Sequence, residues 1–265
     1  MTLIQAAILG LFQGIAEFLP ISSSGHLLIF KDIMGLAEVP ALFDVVLHVA
    51  TLGSIVVVFR KRVGGVIASM ARWIARKQGD GDAENLSIVV PAIVATALTG
   101  ALGLAIDRID FSGSPKVAAG LLIVTALILI AGSRLKPGST GFRGMTVRHG
   151  VIVGLAQGVG VLPGISRSGI SISAGLASGL ERQTAGEFSF LLAIPAILGA
   201  LVLKLDDLPA MAGSVAALPL AVGSIVAFAA GVGALLVLMP LVRKGKLAWF
   251  AAYLIPAGLI GLFIL

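Results

Sequence analysis

The sequence predicts an all-α polytopic membrane protein organised as an inverted-topology repeat, each half a re-entrant helical hairpin followed by three transmembrane helices. Three observations predict it. The chain is 58% hydrophobic and 12% charged with a mean hydropathy of +1.08, a balance that suits lipid as solvent and no ordinary soluble domain. Apolar runs long enough to cross ~30 Å of hydrocarbon at ~1.5 Å per residue recur along it. One polar segment also occurs twice, 144 residues apart.

The elements follow in chain order. The first residues carry no basic segment and no small-residue cleavage pattern, and Gln5, Gln13 and Glu17 interrupt their apolar run. They read as mature structure and not as a signal peptide. Gly10–Gly25 is an apolar stretch broken by Pro, Ser and Gly. Non-helical backbone at membrane depth is tolerated only where it is buried in protein or lines a wet cavity, so this stretch reads as a hairpin whose turn carries the polar residues. Spans follow at Leu42–Phe59, Ser87–Ile106 and Val117–Gly132. The second copy, Gly154–Gly169, matches the first without a gap at eight of sixteen positions, six of them Gly, Gln or Ser, which grease alone would not repeat. Spans at Phe188–Leu203, Val215–Pro240 and Leu247–Leu265 complete six spans and about ten helical segments. The whole of 1–265 is expected as one integral membrane domain, with repeat halves at approximately 1–140 and 145–265.

Charge sets the orientation. A hairpin that enters and leaves on one side, followed by three spans, puts the second copy on the opposite face from the first. Arg60, Lys61, Arg62, Arg72, Arg76 and Lys77 then share a face with Arg134, Lys136, Arg143 and Arg148 and with Arg243, Lys244 and Lys246. Those 13 of the 19 basic residues mark that face as cytoplasmic. Both termini lie outside, and the two turns meet near the midplane from opposite sides. A net charge of +6 could suggest nucleic acid, but cations confined to short connections read as topology signals, and no nucleic-acid partner is expected. The absence of cysteine removes disulfides, thiol nucleophiles and thiolate metal sites, leaving serine as the nucleophile class.

The repeated turns concentrate the chemistry. Gln13 and Glu17 are four residues apart and share one helix face. Glu17 could cap a helix or reach for water, yet a charge in a membrane segment costs ~2.5–3.5 kcal/mol on insertion scales, so cation coordination or proton handling is the functional reading. A hard cation, Mg²⁺ or Ca²⁺, suits this oxygen-rich pair. Ser22, Ser23 and Ser24 stand in a turn before Gly25, a glycine free to take positive φ, and His26. Serines are common N-caps, but an imidazole close to hydroxyls can act as acid or base. In the second turn Ser166, Arg167, Ser168 and Gly169 open another apolar helix. Arg167 could simply pair with Glu17; alternatively arginine, hydroxyls and helix N-terminal N–H groups together make a phosphate cradle. Asp44, His48 and Glu187 lie near span ends with roles left open.

With Gln13–Glu17, Pro20–His26 and Pro163–Ser171 in place, the chain resembles the bacitracin-resistance type undecaprenyl-diphosphate phosphatase family along essentially its whole length. The resemblance rests on an (E/Q)xxxE segment, a PxSSSGH-like turn and a PGxSRSGxT-like turn. Gln13 departs from the acidic form of its motif, leaving any base role to Glu17, and Ser171 stands where threonine is usual. The resemblance implies hydrolysis of undecaprenyl diphosphate to the monophosphate and phosphate, which recycles the lipid carrier for peptidoglycan synthesis. It implies a divalent cation held by Glu17 and Gln13, catalysis by Glu17, Ser23, His26 and Arg167, and substrate contacts from Ser22, Ser24, Gly25, Ser166, Ser168 and Gly169. The implied location is the bacterial inner (plasma) membrane; the topology opens the site to the outer (periplasmic) face, where the first hairpin and the Leu42–Phe59 span begin. A polyprenyl diphosphate and membrane lipid are the implied partners, with a homodimer allowed.

For the chemistry, Ser23 is expected as nucleophile with His26 as base or acid; His26 itself or an activated water are the competing attackers. A transporter of lipid phosphates or small anions would use the same repeat and Arg167 without needing a nucleophile. Cysteines introduced near Lys77 or Gly138 should label only from the cytoplasm and one near Asp206 only from outside; the opposite pattern refutes this topology.

Overall fold

The computed structural model describes residues 1–33, 41–108, 114–203 and 216–265. The described part is helical, with no strand. Asp206 and Lys204 lie outside the described residues. In the first half, α1 (Leu3–Phe18) and α2 (Ser23–Ile33) form the hairpin, α3 (Ala41–Val58) runs into α4 (Arg60–Ile74), and α5 (Asp82–Leu86), α6 (Val89–Asp107) and α7 (Pro115–Arg134) follow. In the second half, α8 (Val147–Val159) and α9 (Arg167–Ala177) form the other hairpin, followed by α10 (Arg182–Leu203), α11 (Ala217–Arg243) and α12 (Ala251–Ile264).

Local signals place these ends. The Thr2 hydroxyl accepts from the Gln5 backbone N–H while Gln5 returns a bond to the Thr2 N–H, a capping box that starts α1. Pro20 helps stop α1 before the turn, since the residue ahead of a proline is pushed out of helical geometry. Ser114 caps α7 with Pro115 at its first position, where the missing N–H costs nothing.

Among the described helices α6, α7, α10, α11 and, with a short lead-in turn, α12 are long and apolar enough to cross a membrane. A sixth candidate is the bent pair of α3 and α4, which meet at 83°. The protein is therefore an all-α polytopic membrane protein, with spans where the apolar runs predict them. The basic stretch at 60–86 differs from its reading as a loop, because it folds into α4 and α5. Apolar residues between its cations let α4 form, and a buried carboxylate holds it: Asp82 accepts from Ser69 Oγ (2.6 Å), Arg72 and the Gly79 N–H (2.9 Å).

The hairpins are positioned by glycine, reciprocally between the halves. α1 lies along α11, and a Cβ on Gly10 or Gly14 would stand 2.3 Å from Gly223 O or 2.4 Å from Ala227 O. α8 lies along α6, and a Cβ on Gly154 or Gly158 would stand 2.5 Å from Ala95 Cα or 2.7 Å from Leu102 Cβ. Gly10 and Gly14 correspond to Gly154 and Gly158 in the repeat, so two of the six matched Gly, Gln and Ser positions form a small-residue surface for close helix crossing. In lipid no hydrophobic force drives helices together, and such close packing supplies the association.

A substitution pair tests this. Gly14→Ala should lower stability by ~1–3 kcal/mol through overpacking against α11. Gly64→Ala, with nothing within 4 Å of the new methyl, should be neutral or stabilise by ~0.5–1 kcal/mol. Denaturation midpoints in detergent read both, and equal effects would contradict the packing role.

Candidate functional site

The two hairpin turns meet, and they do so around one carboxylate. Glu17 closes α1 with its side chain 5% exposed. Its Oε1 accepts from Arg167 Nη2 at 2.6 Å, across 150 residues of sequence. Its Oε2 accepts from Ser23 Oγ at 2.9 Å and from Gln13 Nε2 at 3.1 Å, with His48 Nε2 3.7 Å away. The direct Glu17–Arg167 pair, weighed above as a structural alternative, is thus formed, and it also places a forked cation beside a serine hydroxyl.

Each turn is built by the same cap. Ser22 Oγ accepts from the Gly25 N–H at 3.3 Å, and Ser166 Oγ accepts from the Gly169 N–H at 3.1 Å. These serines and glycines coincide in the repeat, so Ser-x-Ser-Gly encodes an N-cap twice. The expectation that Gly25 takes positive φ is corrected: Ser22 has φ 67°, and Gly25 lies inside α2. Gly25 is needed instead for space, since a Cβ there would stand 2.6 Å from Gly164 N. Ser22 Oγ also accepts from the Gly164 N–H at 3.0 Å, clasping one turn to the other.

The second turn is held from α7. Thr125 Oγ1 donates to Gly164 O at 2.8 Å and accepts from the Ser166 N–H at 3.1 Å. Gly164 has φ +99° and sits where a Cβ would be 2.3 Å from Ala118 O, so only glycine fits. Ser166 Oγ and Ser168 Oγ lie 3.2 Å apart, while Ser171 Oγ donates to Arg167 O at 2.6 Å and shares a short bond with Ser189.

His26 Nδ1–H donates to Ser22 O at 2.9 Å, which leaves Nε2 as the acceptor for Tyr253 Oη at 2.8 Å. The bond described for Ser23 Oγ goes to Glu17. Ser24 is exposed and faces the small hollow bounded by Glu17, Ser22, Ser166 and Arg167. Beside it a cleft of about 250 Å³ between α3 and α10 carries Asp44, His48 and Arg167 at a polar end and Ile197, Ala200 and Leu201 on its apolar wall. The N-termini of α2 and α9, the arginine and this cleft together suit an anion with a greasy tail.

Sequence reasoning missed Thr125, Ser189 and Tyr253 and left His48 open. A lone buried hydroxyl in the apolar span α7 is a signal for Thr125; Tyr253, the chain's single tyrosine, carries none that points to His26. Glu187 lies away from this site, bonded to Gln183 Nε2 (2.7 Å) and 3.6 Å from Arg62 Nε. As for a cation, no group of three or more His, Asp or Glu gathers among the described residues. Gln13 Oε1 is nevertheless buried with no partner there, next to Glu17. Two protein oxygens fit a hard cation whose remaining ligands are substrate phosphate and water.

The family model described as bacitracin resistance protein BacA matches residues 6–260. The chain is 46% identical to the undecaprenyl-diphosphatase of Treponema denticola, over 98% of this chain and 96% of that protein. It is 42% identical to that of Desulfosudis oleivorans (98% of each chain) and 35% identical to that of Corynebacterium glutamicum strain R (99% of this chain, 90% of that one).

The cap assignments predict a split between neighbouring serines. Ser22→Ala leaves two buried N–H groups unsatisfied and should cost ~1–3 kcal/mol, whereas exposed Ser24→Ala should stay within ~0.5 kcal/mol of wild type. Thermal unfolding in detergent measures the difference.

Proposed function

The chain belongs to the bacitracin resistance protein BacA family, and on that premise we propose that it is an integral membrane undecaprenyl-diphosphatase in which Ser23 attacks the terminal phosphorus and Glu17 takes its proton. The observation that carries this reading is the 2.9 Å bond from Ser23 Oγ to Glu17 Oε2, with Arg167 on the other oxygen. A transporter would use Arg167 for its anion but has no need of a hydroxyl held against a carboxylate.

The chemistry follows from charge. Arg167 swings from Glu17 onto the terminal phosphoryl oxygens, where its fork binds two of them and the α9 N-terminus adds N–H groups. Released from its cation, Glu17 becomes the stronger base toward Ser23. The Ser23 O–H bond breaks to Glu17, the Oγ–P bond forms, and the bridging P–O bond breaks with its electron pair leaving on undecaprenyl phosphate. Water then attacks the phosphoserine, returning Ser23 and releasing phosphate. His26, through Ser22 O, fixes the turn that presents Ser23, a positioning role. Ser24, Ser166, Ser168, Gly25 and Gly169 bound the anion site, with Ser22 and Ser166 acting mainly as its frame. A divalent cation would be held by Glu17 and Gln13 and would supply further charge neutralisation for the diphosphate.

The distribution of cations supports placing the 60–77 face in the cytoplasm of a bacterial plasma membrane, and the cleft at the start of α3 then opens to the periplasmic side.

Ser23→Ala, Glu17→Ala and Arg167→Ala should each lose at least ~10²-fold in turnover. Arg167→Lys should fare little better, since a point charge lacks the fork. A neutral denaturing quench with substrate labelled in the terminal phosphate should trap acid-stable label on Ser23. Label on His26, or full activity of Ser23→Ala, would overturn the assignment.

A further inference from the structure

Helix α4 is not used by the hydrolase reading, and its two sides differ sharply. On the side toward the protein its cations are neutralised. Arg62 Nη1 donates to Glu84 at 2.8 Å, lies 3.6 Å through Nε from Glu187 and stacks 4.2 Å from the Phe142 ring centroid; Arg72 is held by Asp82. On the opposite side Ile67, Met70, Ala71 and Ile74, spaced for one helical face, are exposed, with Ile67 at 62% and Ile74 at 73%. Trp73, 60% exposed, stands at the C-terminal end.

The cations at the two ends of this helix have no acidic partner among the described residues. Arg60 donates only to Val57 O at 3.3 Å, and Lys61, Arg76 and Lys77 are exposed. At the 83° bend Arg60, Lys61 and Arg62 line a hollow of about 370 Å³ that Glu187 and Asn85 close on the protein side. A helix turned across the direction of its span, with an unpartnered apolar stripe and unpaired cations at both ends, has the design of an interfacial anchor.

We propose that α4 lies in the membrane interface and binds anionic phospholipid there. Ile67, Met70 and Ile74 enter the boundary between headgroups and acyl chains, while Arg60 and Lys61 at the bend and Arg76 and Lys77 beyond the C-terminus take the headgroup phosphates. The partner must be anionic because these cations would otherwise sit unneutralised at a low-dielectric boundary, and each basic residue near a charged surface contributes ~1 kcal/mol of attraction. The consequence is a protein whose first span is fixed in depth by the lipid it recognises, independently of the phosphatase site.

Trp73 and Trp249 are the two tryptophans, so Trp249→Phe isolates Trp73 as the reporter. The full chain carrying that change is reconstituted into phosphatidylcholine vesicles containing either dibrominated phosphatidylglycerol or dibrominated phosphatidylcholine, and quenching of Trp73 is measured against mole fraction. The anionic lipid is expected to compete about fivefold better near Trp73, the equivalent of one basic residue. That preference should fall to about one in the Arg76→Gln/Lys77→Gln variant, and also in the unaltered charges at ~1 M salt, where the Debye length is ~3 Å. The salt series stands even if the charge variant does not fold. Equal quenching by the two lipids overturns the anionic preference, retention of the preference in the variant overturns the role of these cations, and no quenching by either lipid overturns the interfacial placement.

Discussion

The structure depends on one buried carboxylate. Glu17 is nearly inaccessible to solvent, and a charge there is tolerated because every direction from it is answered: Arg167 on Oε1, Ser23 and Gln13 on Oε2, His48 close by. Removing one member of a buried pair costs ~3–5 kcal/mol, so Glu17 and Arg167 hold the hairpins against each other as firmly as they prepare the chemistry. In the proposed reaction the same pair is also the switch. When a diphosphate competes for the guanidinium, the carboxylate that loses its cation is the one bonded to the serine hydroxyl.

Around this junction the scaffold is repeated and the chemistry is not. The crossing glycines and the capping Ser-x-Ser-Gly occur in both halves and do the same physical work in each, and the glutamines Gln13 and Gln157 are buried in both. Glu17 and Ser23 stand where the second copy has Val161 and Arg167. These two differences give one turn a carboxylate and a hydroxyl and the other a cation. Gln157 shows the alternative fate: without a carboxylate neighbour, its amide lies 3.4 Å from Thr99 Oγ1 as a contact between α8 and α6.

This division explains what could be read from the chain. The spans were legible because lipid demands long apolar runs, and the turns because polar letters there are costly enough to mean something. Glu17, Ser23 and Arg167 stood out for the same reason. Helix α4 was not legible as a helix, since its cations look like a topology signal and its buried partner Asp82 comes from the far end of the connection. The positive φ fell on Ser22 and not on Gly25 because Gly25 is claimed by the approach of Gly164, a contact 139 residues away that local turn chemistry does not announce. Thr125 and Tyr253 likewise act through tertiary contacts alone, one bonding the second turn and the other the His26 ring.

The central claim is that Arg167 exchanges Glu17 for phosphate and so frees the base that activates Ser23. It is tested most directly by an experimental structure with a methylene-bridged polyprenyl bisphosphonate, which binds as the substrate does but cannot be cleaved. The account expects the terminal phosphorus within ~3.5 Å of Ser23 Oγ, in line with the bridging carbon, with Arg167 forked onto its oxygens and Ser23 still bonded to Glu17. A bisphosphonate seated elsewhere, with the Glu17–Arg167 pair intact, would contradict it.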